Sequence, residues 1–236
     1  MIGVTENLRK IRDLLDKAAV DAGRRPEDVH LLAVSKKQSL DKVVEAAAAG
    51  QSDFGENTVQ EGIDKVTKLA EKGLAMTPPE GLCWHFIGHL QSNKTRIVAE
   101  HFDWVHTIDK LKIAERLSSQ RPDSRGDLNV CIQVNIDDEA AKSGATWSDV
   151  MDLAQEIATL PRLKLRGLMC LPAIRESFDE QRVPFAQLSD CAQMLRNQGL
   201  DIDTLSMGMT GDYRAAIFEG ATIVRIGTAV FGPRET

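Results

Sequence analysis

The chain has 236 residues, 42% of them apolar, and a formal net charge of −6 at pH 7. That length accommodates a substantial core, and an acidic balance with no basic run argues against a nucleic-acid partner. No apolar stretch approaches the roughly 20 residues that a membrane-spanning helix needs.

The opening stretch MIGVTENLRKIRDLLDKAA is charged and amphipathic, unlike a signal peptide. It predicts a helix over 6–22, with Leu8, Ile11, Leu14, Leu15 and Ala18 on one face. Short apolar runs then alternate with segments of helical period, the pattern of βαβ units. Eight runs are predicted as strands: 30–35, 52–56, 84–88, 103–108, 128–135, 163–169, 203–208 and 222–227. Helical segments lie between them; LDKVVEAAAAG closes on Gly50 and TVQEGIDKVTKLAEKG on Gly73, a residue suited to ending a helix. Eight such units behind one extra N-terminal helix predict an α/β fold, a TIM (β/α)8 barrel, as a single domain over 1–236. An open doubly wound sheet alternates in the same way, but no GxGxxG follows the first run. MTPPEG and QRPDSRGD read as surface loops, not linkers. Cys83, Cys131, Cys170 and Cys191 lie far apart without a CxxC pair. Cys131 and Cys170 fall in apolar runs and read as small core residues, reduced in a cytoplasm.

In such a barrel the reactive face is built from the C-terminal strand ends. In chain order these carry Lys36, Asn57, His89 with Asn93, Thr107 with Asp109, Asn135, Met169, SMGMTGD (206–212) and RIGTAVFG (225–232). The loops after strands seven and eight are a frequent phosphate site. Here they hold Ser206, Gly208, Thr210, Gly211, Gly227 and Thr228, which offer close backbone approach and hydroxyl donors. A helix starting near Gly211 adds its positive end. Turn chemistry alone accounts for either loop, whereas two on adjacent strands favour phosphate. The absence of GxxxxGK[ST] excludes a nucleoside triphosphate P-loop.

Lys36, in LLAVSKKQ, stands at the mouth of the first strand on that same rim. An amine partly desolvated among cations loses proton affinity and forms a Schiff base with an aldehyde. The plain alternative is a solvated lysine, and Lys37 is read that way because neighbours along a strand point opposite ways. His85 and His89 straddle a strand end and a loop without an HExxH, so a packing or supporting role is read for them rather than metal ligation. His30, His101 and His106 are scattered and receive no role.

The segments LLAVSK, FGENTVQEG, WHFIGHLQSNK, KSG (142–144), RGLM, LSMGMTGD and VRIGTAVFG occur in this order over about Asn7 to Gly232. Together they resemble the YggS/PROSC family of pyridoxal phosphate homeostasis proteins. The resemblance implies a barrel of the alanine racemase N-terminal domain type, with pyridoxal 5′-phosphate (PLP) held as a Schiff base by Lys36. It implies phosphate contacts from Ser206, Met207, Gly208, Met209, Gly227 and Thr228, with Asn57 beside the ring and Arg225 facing the pyridine nitrogen. A guanidinium only donates, so the ring nitrogen stays unprotonated and the ring becomes a poorer electron sink. A barrel ion pair is the alternative for Arg225. Lys94 and Lys142 are candidates for a second or transfer site, with solvated lysines as the alternative. Tyr213, the chain's only tyrosine, is a departure, read about one turn into a helix and packed on the flank.

Two functions fit: a PLP carrier, or a PLP-dependent amino-acid racemase. Racemisation needs bases on both faces of the ring. Only TAVFGPRET follows the eighth run, which leaves no C-terminal domain to bring the second base. The resemblance also implies no established catalysis, a place in intracellular vitamin B6 homeostasis, and PLP-dependent apoenzymes as recipients. The reading is therefore a cytoplasmic, monomeric carrier.

Overall fold

The first amphipathic stretch forms helix α1 (Val4–Asp21), which buries Leu8, Ile11, Leu15 and Ala18. The computed structural model describes residues 3–73, 81–139 and 143–233. Eight strands follow α1: β1 (His30–Val34), β2 (Asp53–Glu56), β3 (Cys83–Phe86), β4 (Trp104–Ile108), β5 (Leu128–Val134), β6 (Leu163–Cys170), β7 (Thr204–Ser206) and β8 (Ile223–Ile226). Between them run α2 (Leu40–Ala48), α3 (Val59–Glu71), α4 (Thr95–His101), α5 (Leu111–Gln120), α6 (Val150–Thr159), α7 (Phe178–Asn197) and α8 (Tyr213–Phe218). Strands pair in parallel and in sequence order, and the sheet closes through β1 and β8, from His30 opposite Ile223 to Ala33 opposite Ile226.

Each predicted apolar run became a strand, most of them a residue or two shorter. The trimmed residues, such as Ser35, Gly88, Asn135, Gly208 and Gly227, turn into the rim loops. A short helix, α9 (Thr228–Phe231), forms in the final segment, where none was anticipated.

Side chains alternate along each strand, so a closed sheet separates them into two populations. One set, including Ala33, Phe54, Trp84, Val105, Leu205 and Val224, joins the hydrophobic core beneath the helices. The other enters the lumen, where His106 of β4 meets Ser206 of β7 across the barrel. All four cysteines are buried and free. Burial pushes the Cys131 and Cys170 thiols up to about 12, which makes them inert packing groups. Among the described residues, no helix is long and apolar enough to cross a membrane.

The ladder between β5 and β6 shifts register between Val130 and Cys131, and Gly167 lies at that irregularity. A Cβ on Gly167 would stand 1.7 Å from the Thr204 carbonyl oxygen of β7. Gly167→Ala is therefore expected to force β6 and β7 apart and to lower stability by about 3 kcal/mol, at the upper end of overpacking costs. Urea denaturation against the wild type checks this; an unchanged midpoint would show that the strand contact is not tight.

Candidate functional site

The first strand stops at Val34, and Ser35 to Lys37 turn toward α2. That turn is held by an ion cluster beneath it. Ser35 donates from Oγ to Glu56 Oε1 at 2.6 Å, and its carbonyl accepts from Lys65 Nζ at 2.6 Å. Lys65, buried on α3, also donates to Glu56 Oε1 at 2.7 Å and Glu61 Oε1 at 2.8 Å. Glu61 in turn accepts the backbone N–H of Lys37 at 2.5 Å. Burial pushes the Glu56 carboxyl up despite the opposing pull of Lys65, and its Oε2 has no hydrogen-bond partner among the described residues. Backbone on both sides of Lys36 is thus fixed by buried charge. Lys36 is half-buried and Lys37 exposed. The two lysines are not strand neighbours on opposite faces, as the sequence suggested. They lie in the turn, and Lys37 takes a left-handed φ of +55°.

The loop after β7 is equally constrained. Gly208 has φ +92°, and a Cβ there would lie 2.6 Å from Ala216 Cβ, so only glycine fits. Its carbonyl accepts from Arg225 N at 3.0 Å, which ties the loop to β8. The Met207 side chain is buried in the core, whereas Met209 is 40% exposed. Met209 N–H donates to Asp212 Oδ1 at 2.6 Å. Tyr213 is the first residue of α8 rather than one turn in, because Asp212 begins the helix at that point. With Leu14, Lys17 and Asp21 of α1 it lines a small cavity between α1 and α8. Gly227 closes the rim: a Cβ there would meet the Val34 carbonyl oxygen at 3.1 Å. Thr228 follows, exposed, at the start of α9. Asn57, half-buried beyond β2, packs its backbone so tightly on Gly88 that a Cβ there would lie 2.0 Å from Asn57 O.

Strand order around the barrel makes β7, β8, β1 and β2 consecutive. The predicted residues Ser206 to Met209, Arg225, Gly227, Thr228, Lys36 and Asn57 therefore share one half of the barrel. The other half of the same rim holds a cavity of about 340 Å³ lined by Ile87, His89, Thr107, Gln133, Asn135 and Ser143. Gly144, at φ +136°, lets the 143–145 segment fold back so that Ala145 bridges Val134. Lys142 lies outside the described residues, and Lys94 is exposed on a 3₁₀ turn after β3.

Arg225 is 4% exposed and forms no ion pair among the described residues; its partners are oxygens of neutral groups. It donates from Nη1 to Ser206 O at 2.5 Å and Ser206 Oγ at 2.8 Å, and from Nη2 to Cys170 O at 2.8 Å. Ser206 Oγ lies 2.8 Å from His106 Nδ1, and His106 Nε2 lies 2.9 Å from His85 Nδ1. His85 Nε2 ends the chain 3.1 Å from Asp53 Oδ1. Because arginine only donates and a carboxylate only accepts, one order satisfies every group. Ser206 donates to His106, His106 Nε2–H to His85, and His85 Nε2–H to Asp53. Burial holds His106 well below the usual imidazole range, hence neutral. Burial alone would raise the Asp53 carboxyl, but its bond with His85 keeps it below the usual carboxylate range.

The chain matches the family model described as alanine racemase, N-terminal domain, over residues 4–235. The pyridoxal phosphate homeostasis protein of Escherichia coli K12 is 50% identical over 235 residues, covering 100% of this chain and 98% of that protein. Its namesake in Vibrio cholerae is 51% identical over the same length. The chain belongs to the pyridoxal phosphate homeostasis protein family. Among solved structures, PipY of Synechococcus elongatus with PLP bound shares 36% identity at a TM-score of 0.83, covering 97% of this chain and 100% of that one. Alanine racemase of Corynebacterium glutamicum, at 16% identity and a TM-score of 0.69 over 98% of this chain and 60% of its own, shares the fold.

Sequence reasoning singles out the rim residues and gives no role to His106, Lys65, Glu56 or Glu61. Glu61 and Lys65 stand four apart on α3, a local pair, but only the strand register of β1 to β4 sets Ser35 and Glu56 against them and His106 beside His85. Lys65→Met is expected to leave Glu56 buried without its cation, at a cost of about 3–5 kcal/mol. A shift of the urea midpoint checks this, and a wild-type midpoint would show that the cluster does not hold the Lys36 turn.

Proposed function

We propose that the chain binds PLP as a Schiff base on Lys36 Nζ and serves as an intracellular carrier or buffer of the cofactor. The observation that carries this reading is the fixed turn presenting Lys36 beside the Gly208 and Gly227 loops, with buried Arg225 between the strands that bear them. PipY, solved both with and without PLP, supports reversible occupancy of such a rim. When bound, the cofactor supplies an aldehyde that condenses with amines and a ring that acts as an electron sink.

Each residue of the chain has a part in this reading. Gly208, Gly227 and Thr228 offer backbone and hydroxyl donors to the phosphate, whereas the backbone N–H of Met207 is taken by Ile223 O and that of Met209 by Asp212 Oδ1, so these two residues shape the loop and do not donate. The Ser206 hydroxyl is engaged by Arg225 and His106, so we assign it to positioning Arg225. Arg225, a donor without acceptor capacity, keeps the pyridine nitrogen unprotonated, which weakens carbanion chemistry. Asn57 flanks the ring. We read the molecule as one domain over 1–236, cytoplasmic and monomeric, passing PLP to PLP-dependent apoenzymes.

The test is spectroscopic. PLP added to the wild type is expected to give a yellow absorption band that borohydride bleaches, with the reduced adduct mapping to Lys36. In Lys36→Ala the band should vanish, and single-enantiomer amino acids incubated with wild type and PLP should keep their configuration. An adduct elsewhere overturns the Lys36 assignment, and steady racemisation abolished by Lys36→Ala overturns the carrier.

A further inference from the structure

A cavity of about 640 Å³ opens at the opposite, N-terminal end of the barrel from Lys36. Asp53 and Cys83 open β2 and β3 there as directly paired residues, and His85 follows two residues along the same face of β3. Asp53 Oδ1, Cys83 Sγ and His85 Nε2 lie within 4.8 Å of one another. His85 Nε2 is 3.1 Å from the carboxylate oxygen and 3.3 Å from the sulfur. Zinc bonds of about 2.0–2.3 Å place neighbouring ligand atoms roughly 3.3–3.7 Å apart in a tetrahedron. The two distances from His85 Nε2 therefore need to open by only a few tenths of an ångström to reach that spacing, and Asp53 and Cys83 stand within 4.8 Å of each other.

We propose that Asp53, Cys83 and His85 form a site for a divalent transition metal of the zinc type, with its fourth position open to the N-terminal cavity. A thiolate, an imidazole and a carboxylate together select zinc over calcium or magnesium, which take oxygen ligands. All three ligands sit on paired strands rather than loops, so the geometry is set by the ladder. The arrangement around His85 is the one a metal-bound imidazole requires. Its remaining nitrogen, Nδ1, has a partner in His106 Nε2 at 2.9 Å. Its ring is stacked on Trp104, with centroids 5.3 Å apart and planes 10° from parallel. The cavity provides an entry path, since Asp53 and His85 both line it. Of the carboxylates that line it, Asp203 is paired with Arg166 at 2.7 Å and Glu27 and Asp28 with Arg25, which leaves Asp53 as the one whose ion-pair partner is the candidate ligand His85.

Occupancy would be felt across the lumen. With Nε2 on the metal, Nδ1 of His85 carries the proton and donates to His106, and His106 Nδ1–H then donates to Ser206 Oγ. The order of donation described above reverses, so an ion at one mouth sets the proton position beside Arg225 near the other. This proposal stands without the cofactor reading.

The experiment uses the purified full chain, stripped with a chelator and then titrated with Co2+ and Zn2+ without PLP. We expect one ion per chain to survive gel filtration, with a tetrahedral Co2+ spectrum and a thiolate-to-cobalt charge-transfer band. Cys83→Ala should remove that band and weaken Zn2+ binding by about tenfold or more, and Asp53→Asn should weaken it by about tenfold, with circular dichroism confirming the fold of each variant. Failure of the wild type to retain a stoichiometric ion overturns the site. So does retention without the charge-transfer band, or retention unchanged in folded Cys83→Ala and Asp53→Asn.

Discussion

The seam between the first and last strands is the constraint on which the rest depends. Four residues of β1 pair with four of β8, and that pairing alone turns an eight-stranded sheet into a closed barrel. Closure brings the Lys36 turn beside Gly227 and Thr228, which lie at the far end of the chain. Gly227 eases it, since a Cβ there would stand a tight 3.1 Å from the Val34 carbonyl oxygen. The extra N-terminal helix reinforces the closure from outside. Asn7 donates to Val230 O at 3.0 Å and Arg12 to Gly50 O at 2.9 Å, and just beyond the helix Arg24 donates to Ala221 O at 2.7 Å. One helix is thereby tied to segments on both sides of the seam. A helix that appears redundant in a count of βα units secures the joint between the two ends of the barrel.

Closure also creates a lumen, and here much of the lumen is polar. Buried polar groups are costly unless every one is paired. The run from Arg225 through Ser206, His106 and His85 to Asp53 pairs each member in turn, crossing from β8 and β7 to β4, β3 and β2. An apolar filling would pack as well, so the polar run is a choice that stability alone does not require. Its consequence is rigidity at Arg225, whose guanidinium is fixed by two carbonyls and a hydroxyl. The two ends of the barrel are joined by hydrogen bonds as well as by packing.

The same framework occurs in alanine racemase at 16% identity, and a fold shared at that distance says nothing of activity. What individualises this chain is local: a lysine turn clamped by a buried cation and two glutamates, and rim loops shaped by glycine. These features pre-position backbone and amine before any ligand arrives, which reduces the ordering that binding must impose.

The sequence by itself determined the count, order and type of the strands, because alternation of short apolar runs with 3.6-residue periodicity is a local signal. It also singled out Lys36, Gly208, Gly227 and Thr228, since a lysine after an apolar run and small residues after strands seven and eight stand out without coordinates, whereas Arg225 entered only through the family resemblance. Tertiary structure decided everything that depends on register. His106 looked like a scattered histidine until β4 faced β7 across the lumen. Lys65 looked like one charge among many on α3 until the β1–β2 pairing placed Ser35 and Glu56 under it. Asp53 and Cys83 are thirty residues apart, and only the β2–β3 ladder sets them opposite each other. Residue type and spacing are written along the chain, but which strand lies across the lumen from which is fixed only when hydrogen bonding closes the sheet.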